Sequence, residues 1–424
     1  MYRFKINLSS KGRKRIFLFY PKVKSHHVEE LSECMRQLKF IAEDYYPSYR
    51  ILKMTVFVNT NNFSEFNRLK SDLNELIKSN SNLTDFPVLF VAQSPTNDRN
   101  IAVEVLALIL SSSDYSYDYE NSGNVSFSKV GRGENLEIFG NIIDDPQNIR
   151  LNPIDKVESV YQQSMRSFEE LKNILGKNNL NFQNIVRQWG YIGKITNNEL
   201  RNSNDENSKM GNYQMFNMAR AEYYKDAEWK FGYPAATGIG ANVDGCSIEF
   251  VAINENPNKL IIPLHNPKQS DAHSYTGKQF SNTLTTIQNE QADTPKFERG
   301  KIVISGDLLD LYVSGTAAII GEDSISGDIR EQTRTTLDNI TKLCSKENLE
   351  EHGLLIEGQL PKFSGVRAYI KYPKDSSLVE EMCREEFSDV PIMCVIADVC
   401  REELLVEIEA YLNCNIGKLS INDK

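Results

Sequence analysis

Three stretches of this chain follow one plan: a proline, a short apolar strand, a turn, and a second strand ending Glu-x-x-Ala-apolar. The landmarks are Pro87 and Glu104, Pro234 and Glu249, Pro391 and Glu407, separated by 17, 15 and 16 residues. Three matched copies constrain the fold more than any single motif, because a repeat of this kind multiplies one unit along the chain. The last copy is the clearest. Leu404, Val406, Ile408, Ala410 and Leu412 alternate with Leu405, Glu407, Glu409 and Tyr411, the period of two that a strand requires. The first set is apolar and is expected to lie against helices. The second places carboxylates among large side chains, on a face that reads as covered.

Around these landmarks the pattern predicts three units. The first spans 1–110 and reads ββαβαβ: a hairpin of strands 2–7 and 15–20, a helix striped by Val28, Leu31, Met35, Leu38 and Ile41, a strand at 51–58, a helix at 63–77, then the Pro87 pair. The second spans 120–254. It opens near Val125, continues with a helix starting near Pro153 and striped by Val157, Val160, Met165, Phe168, Leu171 and Ile174, and uses Gly176 as the helix cap. A strand at 185–192, a polar loop to about Asn212 and a helix at 213–227 complete it. Residues 255–299 read as an irregular connecting segment, functional or a linker. The third unit spans 300–415, with strands at 301–304 and 311–316, a helix from Asp328, a strand at 365–370 and a helix at 376–387.

Composition narrows the function classes. A net charge of −10 speaks against non-specific nucleic-acid binding. No apolar run approaches the roughly 20 residues needed to cross a bilayer, and the first 20 residues lack the apolar core of a signal peptide. Seven cysteines without a C-x-x-C pair read as reduced thiols of a cytoplasmic protein. The five histidines form no metal-ligand pattern. G-I-G-A-N-V-D-G at 238–245 has the wrong glycine spacing for a dinucleotide site. Neither a metal nor a cofactor is implied.

Taken together, L-Y-V-S-G-T-A (311–317), G-D-I-R-E-Q-T-R-T-T-L-D-N-I (327–340) and P-I-M-C-V-I-A-D-V-C-R-E-E-L-L-V-E-I-E-A (391–410) resemble the Rid/YjgF superfamily. V-R-Q-W-G-Y-I (186–192), Y-Q-M-F-N-M-A-R-A-E (213–222), Y-P-A-A-T-G-I-G-A (233–241), T-P-K-F-E-R-G (294–300), V-S-G-T-A-A-I-I-G-E-D-S (313–324) and A-D-V-C-R-E-E-L-L-V-E (397–407) narrow the resemblance to its chorismatase branch. The resemblance implies an α+β fold of three tandem chorismate-mutase-like repeats closing into an intramolecular pseudotrimer barrel, the first repeat degenerate and the third carrying the site. Rid imine deaminases carry an arginine two residues after the proline; Leu89, Ala236 and Met393 stand there, so imine hydrolysis is discounted. Asn212 and Lys371 occupy positions where chorismatases carry arginine.

The implied activity is hydrolysis of the enolpyruvyl ether of chorismate, with release of pyruvate and a hydroxybenzoate or dihydroxycyclohexadiene carboxylate, in secondary metabolism. Glu407 is the expected general acid, since a glutamate in apolar surroundings holds its proton near neutral pH. Arg220, Arg299 and Lys371 are the expected anchors for the two substrate carboxylates. Tyr213, Thr316, Ala317 and Cys400 are expected to line the same pocket. The implied partner is a small-molecule dicarboxylate, with neither nucleic acid nor membrane, and the chain is expected as a monomer or weak oligomer. Two alternatives stand beside this reading: a non-catalytic Rid-like ligand-binding protein, and a related enzyme acting on another cyclic carboxylate.

Overall fold

The computed structural model describes residues 3–11, 13–22, 24–45, 49–79, 85–110, 115–144, 159–200, 209–276, 294–357 and 360–422. Three mixed sheets, each backed by helices, carry the three proline–glutamate copies.

The first unit contains β1 (Arg3–Lys11), β2 (Lys14–Phe19), α1 (His27–Tyr45), β3 (Tyr49–Val58), α2 (Phe63–Ser79), β4 (Val88–Val91) and β5 (Ile101–Ile109). Its sheet order is β2-β5-β3-β4. The predicted hairpin is not made. β1 pairs instead with strands of the third sheet, whose last strand outruns its other partners and leaves an edge to be filled. Leu31, Met35 and Leu38 of the α1 stripe are buried, while Val28 is exposed.

The second unit holds β6 (Tyr115–Ser122), β7 (Val125–Arg132), β8 (Asn135–Asp144), α3 (Val160–Lys177), β9 (Ile185–Gly193), α4 (Asn212–Tyr224), β10 (Ala235–Ala241) and β11 (Cys246–Ile253), in sheet order β10-β9-β11-β8-β7-β6. Its sheet therefore starts at Tyr115, ahead of the expected 120. Pro153 and Val157 lie outside the described residues. Ser159 caps α3 in a reciprocal capping box with Gln162. Gly176 is not the cap: it sits in the last turn, Asn178 follows as C-cap, and Asn179 takes the left-handed conformation. In the polar loop, Asn198–Leu200 pairs with Lys209–Gly211.

The third unit comprises β12 (Lys259–Leu264), β13 (Gly300–Ser305), β14 (Leu308–Ala317), α5 (Ile329–Leu343), α6 (Lys346–Glu351), β15 (Leu354–Glu357), β16 (Gly365–Ile370), α7 (Ser376–Glu386), β17 (Ile392–Ile396) and β18 (Val406–Asn422). Its order is β12-β13-β14-β18-β16-β17, with β1 on β15 and β18. β12 corrects the irregular 255–299 segment. Its Pro263 obscured a strand that the sheet edge tolerates, and Ile262 and Leu264 are buried on the helix side.

The repeat is visible in the crossovers. β3–α2–β4, β9–α4–β10 and β16–α7–β17 each join two parallel, paired strands through a helix. Each sheet packs one face on its own helices. The opposite faces meet in a common core that includes Leu52, Phe57 and Leu89 of the first unit, Val186 and Trp189 of the second, and Tyr312, Tyr369 and Met393 of the third. That arrangement fits the expected pseudotrimer.

Candidate active site

The strand bearing each landmark glutamate pairs antiparallel with the strand that opens the helical crossover of its unit, β3, β9 or β16. Glu104 lies opposite Thr55, Glu249 opposite Trp189, and Glu407 opposite Tyr369. Two residues before each of those partners stands a cation: Lys53, Arg187 and Arg367. The period of two sends all of these side chains inward. There they pair across units. Lys53 Nζ meets Glu249 at 2.8 Å, Arg187 meets Glu409 at 2.8 Å, and Arg367 meets Glu104 at 2.5 Å. All six are buried, and all but Glu249 line a cavity of about 40 Å³.

Glu407 stands outside this ring, although it too is only 5% exposed. Among the described residues its carboxylate has no hydrogen bond and no ion pair. Gly315 on β14 makes room for it, since a Cβ there would come within 1.9 Å of Glu407 Oε1. Ala317 lies directly opposite on β14. Burial, and then the charge of Glu409, push the Glu407 carboxyl up to about 8, against weaker downward pulls from Arg187 and Arg299. Glu409 goes the other way. Burial raises it, but Arg367, Arg187 and the donors Thr237 and Trp189 outweigh burial and hold it below the carboxylate range. Two carboxylates two residues apart thus have opposite tendencies.

Arg299 is 3% exposed and donates to the Ser270 carbonyl and, at 2.5 Å, to the Tyr275 hydroxyl. Tyr213 is half-buried, and burial, Cys400 and then Glu407 all raise its phenol; its ring needs Gly238, where a Cβ would come within 2.8 Å. Cys400 is half-buried too, its thiol pushed up to about 12 by burial and then by Glu407. Arg220 lies behind Tyr213, 4% exposed, giving one hydrogen bond at 2.6 Å to Asn217 while its Nε has no partner among the described residues.

Two expected pocket residues are placed elsewhere. Lys371 donates to the Glu402 carbonyl at the end of β16. Thr316 lies opposite Ile408, a residue of the helix-side core, and its hydroxyl donates to the Ser314 carbonyl at 2.9 Å. Asn212, at a position where chorismatases carry arginine, donates to the carbonyls of Gly193 and Lys194.

Sequence reasoning passed over Arg187, Thr237, Gly315 and Glu409. Thr237 ties the second unit to the third: its hydroxyl accepts from Arg187 at 2.6 Å and from the Gly315 N–H at 2.9 Å, and donates to Glu409 at 2.6 Å. A signal for Arg187 was present, in the matching V-R-Q-W and V-R-A-Y of the second and third units. The fold also brings His265, Asp271 and Glu298 together, with donor atoms within 4.8 Å of one another. That set has metal-ligand character, and His265 and Asp271 already pair at 2.7 Å.

Residues 146–252 match the family model described as Chorismatase FkbO/Hyg5-like, N-terminal. A 3-hydroxybenzoate synthase of Streptomyces hygroscopicus is 31% identical over 238 residues, which are 54% of this chain and 64% of the relative. Over these residues the chain is similar to chorismatases. A chorismatase of Streptomyces rapamycinicus is 29% identical, the match covering 55% of this chain and 65% of that protein. The matched stretch therefore spans less than two thirds of either relative. The likeness in fold extends further: a chorismatase crystal structure covers 96% of this chain and 99% of its own at a TM-score of 0.63 and 19% identity. The chorismatase-like match at 146–252 falls within the second unit, which supplies Arg187, Tyr213, Arg220 and Thr237.

Proposed function

We propose that this protein hydrolyses the enolpyruvyl ether of chorismate, with Glu407 as general acid. One observation carries the reading: a buried carboxyl, unpaired among the described residues and pushed up to about 8, beside buried arginines. In that state Glu407 delivers its proton to the terminal methylene carbon of the enolpyruvyl group. Water adds to the resulting oxocarbenium carbon, and the hemiketal collapses to pyruvate and a dihydroxycyclohexadiene carboxylate. Loss of water from that ring gives a hydroxybenzoate instead. The buried guanidinium groups of Arg299 and Arg220 are the anchors for the substrate carboxylates, and Tyr213, Ala317 and Cys400 wall the ring. The three-unit organisation, with the first unit at 1–110 and the site in the third, belongs to the same proposal.

The names of the relatives and the chemistry of the site support the reading together, since a fold alone does not imply a reaction. Incubation with chorismate and coupled detection of pyruvate tests it. Catalytic pyruvate release is expected. Its absence at high enzyme concentration removes the reading and leaves a ligand-binding protein or an enzyme of another cyclic carboxylate.

A further inference from the structure

The three cations and the landmark glutamates obey one rule in two cases out of three. The cation of the first unit reaches the landmark glutamate of the second (Lys53 to Glu249), and that of the third reaches the landmark of the first (Arg367 to Glu104). By the same rule Arg187 of the second unit belongs to Glu407 of the third. It pairs with Glu409 instead. The residue two places after the landmark is Leu106 in the first unit and Val251 in the second, lying opposite Lys53 and Arg187 respectively; only in the third is it a carboxylate.

We infer that Glu409 is a positioning residue for the Glu407 cleft: it takes the ion pair that the threefold pattern gives Glu407, and so keeps the Arg187 guanidinium off the acid. Its hold is well built. Glu409 Oε2 accepts from Arg187 and from Thr237, and Oε1 accepts from the Trp189 indole N–H at 2.9 Å. Arg187 stacks over the same indole, its Cζ 4.2 Å from the ring centroid. Arg367 closes on Glu409 from the other side at 3.3 Å. A buried guanidinium deprived of its carboxylate must find another, because an unpaired charge in the interior is costly, and Glu407 is the landmark carboxylate without a partner among the described residues.

The charged and titratable groups around Glu407 are Arg187 from β9, Arg299 ahead of β13, Glu409 on its own strand, Tyr213 from α4 and Cys400 from the segment before β18. Removing Glu409 takes away a like charge and frees a cation, and both changes favour the ionised form of Glu407. The inference rests on Glu407 being the acid of the proposed reaction, so its test includes a readout that does not depend on turnover. The full chain is labelled with carboxyl-13C glutamate, and the Glu407 signal is assigned through Glu407→Gln and titrated by NMR.

In Glu409→Gln the Glu407 midpoint is expected to fall by at least about one pH unit, a tenfold change in proton affinity. The alkaline limb of pyruvate release is expected to move down with it, while KM changes less than kcat. The double variant Arg187→Gln/Glu409→Gln is expected to restore most of the high midpoint. Should Glu409→Gln not fold, Glu409→Asp is used, with a smaller shift in the same direction. An unmoved Glu407 midpoint in the folded variant overturns the inference. A moved midpoint in a protein that never releases pyruvate upholds it and removes the chorismate reading alone.

Discussion

Glu249 and Glu407 occupy the same place in successive units and are similarly buried, at 1% and 5% exposure. Glu249 accepts from Lys53, from Thr55 at 3.3 Å and from Tyr191 at 3.4 Å. Glu407 has no such donors among the described residues. The difference lies in what the neighbouring unit offers, because each strand alone only aims its carboxylate inward. A repeat can therefore carry a structural ion pair at one boundary and a titratable acid at another, and the deciding change is a single extra carboxylate.

The comparison can be broken at either glutamate. Glu407→Gln keeps the shape and removes the proton, so pyruvate release from chorismate should fall about 10²- to 10⁴-fold, the usual worth of a general acid, with Tm near wild type at about pH 5, where wild-type Glu407 is protonated in the folded state. Glu249→Gln should leave the chemical step far less affected. Lys53→Met strands a buried carboxylate and is expected to cost about 3–5 kcal/mol in urea unfolding. Adding Glu249→Leu should recover most of that loss, since an apolar pair of similar volume replaces a buried ion pair well.

The next effect is in the pH dependence of stability. Burial raises the Glu407 carboxyl from 4.5 to about 8 in the folded protein, while the unfolded chain titrates near 4.3. Between those values the folded state holds a proton that the unfolded state has lost, so the contribution of this group falls as pH rises and is fully lost above about 8. Glu407→Gln, which does not titrate, should therefore gain on wild type from pH 5 to pH 9, by on the order of 2–4 kcal/mol. A pH-independent difference between the two would place Glu407 with Glu249. The smallest effect is expected at Cys400. Its thiol is protonated at neutral pH, so Cys400→Ala should cost about 1 kcal/mol in stability and retain pyruvate release.

Much of this was legible before any coordinates. The alternation put Val406, Ile408, Ala410 and Leu412 in the helix-side core and Glu407 and Glu409 on the inner face, but Leu404, expected with the first set, lies ahead of the strand and packs in the common inner core. Apolar periodicity also marked α1, α3 and α5, because a helix or strand must bury its apolar side whatever lies opposite. Where that logic was local it erred at edges: β1 joined a sheet far along the chain, and Pro263 hid β12.

The amino-acid sequence by itself determined that three matching units exist, which faces they bury and that each aims a carboxylate inward, since these follow from periods of 2 and 3.6 along one element. Only the tertiary structure decided which of those carboxylates stays unpaired among the described residues. Arg187 and Glu409 lie 222 residues apart, and the strength of a charge pair depends on distance and burial in space. No reading along a single strand contains either.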